Sequence, residues 1–269
     1  MKGERRGEVA FAPGTLLIGD LHLDLDQVVQ ACAFVEWLEA LPDVPRLVIL
    51  GDFFEYWFGK AQARSAGGEL VCRALSERAE RGAELDLVPG NRDFLLDGDF
   101  EARSGVRLHP NGFRALLPGG ATALVIHGDE LCTLDRDYLA LRRVLRSGAV
   151  RSSSRWLPAW AGRAVARRLR RASRAALEVK LEAEAEQQPD AVRSLAAAEG
   201  AEVLICGHAH RFRDSRLEAG PRWLVLDAWG GERDVLCVTA DGDFQARSSR
   251  DVEVRLAPGS GADDPAHDR

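Results

Sequence analysis

The chain has 269 residues, 46% of them hydrophobic, and a formal net charge of −6. That length is enough for one domain with a substantial buried core. No run approaches the ~18 apolar residues of a membrane span and no signal-peptide core opens the chain. The five cysteines (Cys32, Cys72, Cys132, Cys206, Cys237) show no paired metal spacing, which points to buried free thiols.

Residues 1–13 are polar and charged, which predicts a poorly ordered tail; residues 257–269 read the same way, so the domain is expected over 14–256. Thr15 to Ile18 reads as a buried strand and leads into Asp20-Leu21-His22. A helix is predicted from Gln27 to Leu41. The apolar run from Arg46 to Leu50 is a second strand, followed by Gly51-Asp52. A second helix is predicted from Glu69 to Arg81. Three more strands follow: Glu84 to Val88 before Gly90-Asn91-Arg92, Ala121 to Ile126 before His127-Gly128-Asp129, and Glu202 to Cys206 before Gly207-His208-Ala209-His210. Alternating strands and helices favour a layered α/β fold.

All five polar motifs thus fall at strand C-terminal ends, where layered α/β folds gather their loops into a ligand crevice. Residues spread over about 190 positions, from Asp20 to His210, would meet in one site. The histidines support this. Only six occur (His22, His109, His127, His208, His210 and His267), and four sit in these motifs beside Gly or Asp. One such histidine alone would read as a hydrogen-bonded structural residue. Four, together with carboxylates and an amide oxygen, suit Mn, Fe or Zn better than Ca or Mg, and enough donors are present for two ions. Arg92, directly after Asn91, offers a planar fork for two phosphate oxygens, or else a partner for Asp93.

The order D-x-H, GD, GN, HG, GHxH resembles the calcineurin-like metallophosphoesterase family. That resemblance implies a four-layer αββα sandwich and a dinuclear site. One ion would be held by Asp20, His22, Asp52 and His210, the other by Asn91, His127 and His208, with Asp52 bridging. Such a pair can hold a hydroxide as nucleophile and neutralise charge on phosphorus. Many members place a His, a candidate general acid, after the Asn; this chain has Arg92. An alkoxide leaving group benefits from that proton, whereas a phosphate with a second pKa of about 6 does not require it. Arg92 therefore favours a phosphoanhydride substrate.

The wider stretches Gly51 to Gly59, Gly90 to Leu96 and His127 to Thr133 resemble the bacterial UDP-2,3-diacylglucosamine diphosphatase subfamily. This implies Mn-dependent attack of water on the α-phosphorus of a UDP-linked, doubly acylated glucosamine, yielding UMP and the lipid 1-phosphate of lipid A synthesis. It also implies catalytic roles for Asn91, Arg92 and His208, and substrate contacts from these three and from Asp135, Tyr138, Arg170, Ser173 and Lys180. Departures occur at Lys60, Ala61, Leu177, Ala209 and Phe212, none of them a ligand position. A nuclease or nucleotide phosphodiesterase on the same metal core is the alternative.

From Tyr138 to Leu177 there are eleven Arg and no acidic residue, within a region (136–190) expected to be a helical cap insertion. Trp156, Leu157, Trp160, Val165 and Leu169 fall at near-helical spacing among the arginines. Packing, nucleic-acid binding and a lipid cap compete as readings; the resemblance favours the lipid cap, with peripheral contact to the cytoplasmic face of the inner membrane. No nucleic acid and no obligate protein partner are expected. Phe53, Phe54, Tyr56, Trp57 and Phe58 are expected to pack, with base stacking or an acyl channel as the alternative. Trp223 and Trp229 are expected in the core or sheet, and Glu55 beside a metal-ligating His.

Overall fold

The computed structural model describes residues 6–148, 150 and 186–254. In chain order the described elements are β1 (Glu8–Ala10), β2 (Leu16–Ile18), α1 (Val28–Ala40), β3 (Arg46–Ile49), α2 (Lys60–Ala63), α3 (Ala66–Glu80), β4 (Glu84–Leu87), α4 (Gly98–Ser104), β5 (Arg107–Leu108), β6 (Phe113–Leu116) and β7 (Thr122–Val125). There follow α5 (Arg136–Leu145), α6 (Pro189–Glu199), β8 (Val203–Cys206), β9 (Arg213–Arg216), β10 (Arg222–Val225), β11 (Val235–Val238), β12 (Phe244–Arg247) and α7 (Ser249–Val254). The strands form two six-stranded sheets, β1-β6-β7-β8-β10-β9 and β12-β11-β2-β3-β4-β5.

Period-two alternation assigns each strand residue to a layer. Leu17 and Val48 face Val125, Ile205 and Leu224 across the interior between the sheets. Their neighbours Leu16, Ile18, Leu47 and Ile49 point the other way, onto Phe34, Trp37 and Leu38 of α1 and Val71 and Leu75 of α3. On the second sheet, Leu124, Leu204, Trp223 and Val225 point outward onto Val192 of α6. Helix, sheet, sheet, helix is therefore the order of layers. Because both faces of the central strands are buried, they read as continuous apolar runs.

α3 begins three residues before its predicted start because the Ser65 side chain accepts from the Gly68 N–H at 3.2 Å. The predicted N-terminal tail is corrected over residues 8–10: β1 pairs in parallel with β6, and Val9 and Phe11 are buried between the sheets. The five cysteines are free thiols, with Cys32 and Cys237 only half-buried. Phe53, Phe54, Trp57 and Phe58 are core residues. Tyr56 is half-buried and donates to Asp26 Oδ2 at 2.7 Å. Trp223 is buried, and Trp229 packs edge-on against Trp37 with centroids 4.6 Å apart. No helix among the described residues is long and apolar enough to cross a membrane. Arg170, Ser173, Leu177 and Lys180, with most of the Arg-rich segment, lie outside the described residues.

One ion network is buried beside β4. Asp86 accepts from the guanidinium of Arg46 and lies 2.6 Å from His109 Nε2. Burial raises the Asp86 pKa, but the His109 hydrogen bond and the Arg46 charge outweigh it and hold the carboxyl below its ordinary value. Arg46 is also buried, so Asp86→Asn strands a charge that, among the described residues, keeps only Glu84 as an ionic partner. We expect a loss of about 3 kcal/mol at neutral pH, the lower end for a broken buried pair. A depressed folded pKa stabilises above the unfolded value near ~4 and ceases to as pH falls through the folded value. Urea unfolding should therefore show the gap between the two proteins narrowing toward pH 3.

Candidate active site

β2, β3 and β4 are parallel neighbours, as are β7 and β8, so their C-terminal ends share one edge of the paired sheets. The strand ladder continues into the loops: the N–H groups of Asp20, His22 and Gly207 donate to the carbonyls of Gly51, Asp52 and His127 at 3.1, 2.9 and 2.9 Å. These bonds hold the motif backbones in a conformation that side chains resist. Among the described residues, non-glycine positive φ occurs at Asp20 (52°), His22 (52°), Asp52 (46°), His208 (69°), His210 (53°) and Ala219 (47°). Five of these six are predicted ligands. Each costs on the order of 1 kcal/mol, and such strain gathers where side chains must converge.

Two glycines make that convergence sterically feasible. A Cβ on Gly51, whose φ is +86°, would lie 2.5 Å from His127 Nδ1; one on Gly90 would lie 2.2 Å from Asp52 Oδ1.

The donors form two facing groups. Asp20, His22 and His210 converge within 4.8 Å, and so do Asp20, Asp52 and His127. His22 Nε2 and His210 Nε2 lie 3.1 Å apart, and His210 Nε2 lies 3.5 Å from Asp20 Oδ1. His127 Nδ1 donates to the Leu50 carbonyl at 2.7 Å, which aims Nε2 at Asn91 Oδ1, 3.0 Å away, and at Asp52 Oδ1, 3.8 Å away. The His208 ring stands 5.0 Å from that of His127, and its backbone N–H donates to Asp20 Oδ2 at 2.7 Å. All seven predicted ligands are thus brought together. Asp20 is the carboxylate common to both converging groups, whereas Asp52 lies in the second.

Arg92 sits on the same edge. Its N–H donates to Asp52 Oδ1 at 2.9 Å, its Nε lies 3.4 Å from Asp52 Oδ2, and its Nη1 donates to Glu55 Oε2 at 2.7 Å. Asp93 is not its partner: that carboxylate turns inward and accepts from the N–H groups of Phe53, Phe54 and Gly90. Glu55 Oε2 lies 3.6 Å from His22 Nδ1, beside the predicted imidazole. Asp135 caps α5 by accepting from the Tyr138 N–H at 3.0 Å, and the Tyr138 hydroxyl donates to buried Asp129. Two polar residues around the site, Gln187 and Arg146, carry no role in the sequence reading, and Asp93 enters it only as a partner for Arg92. Their only sequence signal is a position next to, or at the ends of, the motif-bearing segments.

Electrostatics favour cations here. Asp20 Oδ1 and His22 Nδ1 are buried and have no hydrogen-bond partner among the described residues. Burial, with Asp93 and Asp20 nearby, pushes Asp52 up to about 7 against the pull of His127. Burial would press His127 down, but Asp52, Asp20 and Asp129 outweigh it and push it up to about 9. The coupled pair holds a proton that a divalent cation would displace. Burial and Arg92 press His22 down to about 3, and burial and His127 press His208 down to about 4, so both imidazoles offer lone pairs at neutral pH. Carboxylate, imidazole and amide donors with an orphaned carboxylate oxygen fit divalent transition metals.

The calcineurin-like phosphoesterase description matches residues 15–212. A protein of Azotobacter vinelandii named UDP-2,3-diacylglucosamine hydrolase is 39% identical over 232 residues, spanning 85% of this chain and 95% of its own length. Proteins of the same name from Shewanella pealeana and Pseudomonas fluorescens are each 35% identical, over 85% and 91% of this chain and 95% and 99% of their own. The family match runs from β2 past the last histidine motif, over the same loops that bring the donors together, and the chain belongs to the calcineurin-like phosphoesterase family.

Proposed function

We propose that this chain hydrolyses the pyrophosphate of UDP-2,3-diacylglucosamine, releasing UMP and 2,3-diacylglucosamine 1-phosphate. The observation that carries the reading is Arg92: a guanidinium held against Asp52 and Glu55, at the position where a proton donor would assist an alkoxide. A departing phosphate needs charge neutralisation more than protonation, and the fork supplies it. The likeness to three relatives named for this substrate agrees with that chemistry.

In this reading Asp20, His22, Asp52 and His210 would hold one divalent cation and Asn91, His127 and His208 the other, with Asp52 available to both and Mn2+ as the expected metal. Bound cations supply Lewis acidity to water and to the phosphoryl oxygens. Leu50 keeps His127 Nδ1 protonated so that Nε2 faces the site. Asn91 and His208, beside the reacting phosphorus, and Arg92 position the α-phosphate. Asp135 and Tyr138, at the start of α5, would contact the sugar and its phosphate, and the same role is proposed for Arg170, Ser173 and Lys180, which lie outside the described residues. The purified chain with Mn2+ should turn over this substrate with a kcat/KM at least ~10²-fold above that for single-stranded DNA or a nitrophenyl phosphodiester. Preferred cleavage of DNA would support the nuclease reading instead.

We place the chain in the cytoplasm, in peripheral contact with the inner membrane. Leu134, Leu141 and Val144 are exposed near or on α5, beside exposed Arg136 and Arg143, an arrangement suited to an anionic lipid surface. Co-sedimentation with anionic vesicles is expected at 50 mM salt and should fall severalfold at 500 mM, as screening weakens the arginine contacts. Binding that ignores salt or headgroup charge would count against this placement.

A further inference from the structure

We infer that Gln187 and Arg146 are positioning residues that set the Asn91, His127 and His208 donors, and thereby the occupancy of that half of the site. The inference rests on the two-ion reading above. Gln187 is buried, and its Nε2 donates to the carbonyls of Gly128 at 3.3 Å and Gly207 at 3.0 Å. Those glycines stand directly after His127 and directly before His208, so one side-chain amide ties two ligand loops. A Cβ on Gly128 would come within 2.5 Å of that nitrogen, so the tie depends on glycine there. The Gln187 Oε1 is held in turn by the Cys206 thiol at 3.7 Å, which fixes the amide's orientation.

Arg146 does the same for the third loop. At the C-terminal end of α5, its Nη2 donates to the carbonyls of Pro89 and Gly90 at 3.0 Å each, immediately before Asn91. Its Nη1 donates to the Pro110 carbonyl at 3.0 Å, and Nη2 lies 3.7 Å from Asp129 Oδ2, two residues beyond His127. No hydrogen bond or ion pair described for either residue reaches the loops of Asp20, His22 or Asp52, and of the first ion's donors only His210, three residues beyond Gly207, shares a tied loop. The loops of Asp20 and His22 are held by the strand ladder described above, which also joins Gly207 to His127. Gln187 and Arg146 also lie on either side of residues 151–185 in sequence.

A group that orients ligands through their loops changes metal affinity about 10- to 100-fold when removed. The test is Mn2+ binding to the full chain, by metal analysis and electron paramagnetic resonance, for the unchanged protein, Gln187→Met, Arg146→Met and Arg146→Lys. Methionine keeps the volume of each side chain and removes its donors. The unchanged chain should bind two ions with a spin-coupled signal. Each Met variant should keep one ion at unchanged affinity, lose the second by tenfold or more, and show the six-line spectrum of isolated Mn2+; Arg146→Lys should recover part of the coupled signal. If Gln187→Met does not fold, Arg146→Met decides alone, since that side chain is partly exposed. Two coupled ions at unchanged affinity in the variants, or equal weakening of both ions, would overturn the inference while leaving the two-ion reading intact. Fewer than two ions in the unchanged chain would overturn both.

Discussion

Asp52→Ala is expected to lower Mn2+-dependent UMP release by at least ~10³-fold, the scale seen when a centrally placed catalytic group is removed. Asp52 is buried where Asp20, His127 and Arg92 meet, so its loss removes the carboxylate proposed to serve both cations together with the negative charge against the Arg92 guanidinium. The Arg92 N–H also loses its acceptor. Stability should move the other way in the charge-only variant. Burial beside Asp93 and Asp20 raises the Asp52 pKa to about 7, so the ionised form opposes folding at and above that pH. Without added metal, Asp52→Asn should therefore melt no lower than the unchanged chain at pH 8, as read by a thermal scan in chelator. A large drop in melting temperature would mean that Asp52 supports the fold and not the ions.

Arg92→Ala is the second large effect. The guanidinium is part-exposed at the site edge and fixed by Glu55 and Asp52, which presets the fork before substrate arrives. Removing a charge placed on a phosphoryl group costs on the order of 10²- to 10³-fold in kcat. Metal content should not change, because no predicted ligand is lost. Arg92→Lys should recover only a minor share, since a single ammonium cannot hold two oxygens in one plane. Steady-state kinetics with metal analysis separates these outcomes. A Lys variant with full activity would show that charge alone suffices.

The side chains that converge at the site were legible in the sequence because each lies within four residues of a strand end, and that signal is local. The five strands were legible for a related reason: with both faces buried, Leu47 to Leu50 or Leu204 to Cys206 read as unbroken apolar runs. β1 was not, because three residues with only Val9 inward are too short to show a period. The partner of Arg92 was also hidden. Adjacent residues on a loop point apart, so Asp93 went inward to three backbone N–H groups and Glu55, 37 positions away, met the guanidinium. Gln187 and Arg146 were invisible for the same reason: each acts on carbonyls 20 to 59 positions distant, and a carbonyl leaves no mark in a sequence. α5 took its N-terminal cap from Asp135, which sequence resemblance had marked for substrate alone.

The most direct test of anhydride cleavage is turnover of UDP-2,3-diacylglucosamine by the Mn2+-loaded chain in ¹⁸O-labelled water. Attack of water on the α-phosphorus predicts UMP carrying one labelled oxygen and an unlabelled lipid 1-phosphate, with release lost in Asp52→Ala. No UMP from the metal-loaded chain, or label in the lipid phosphate, would contradict it.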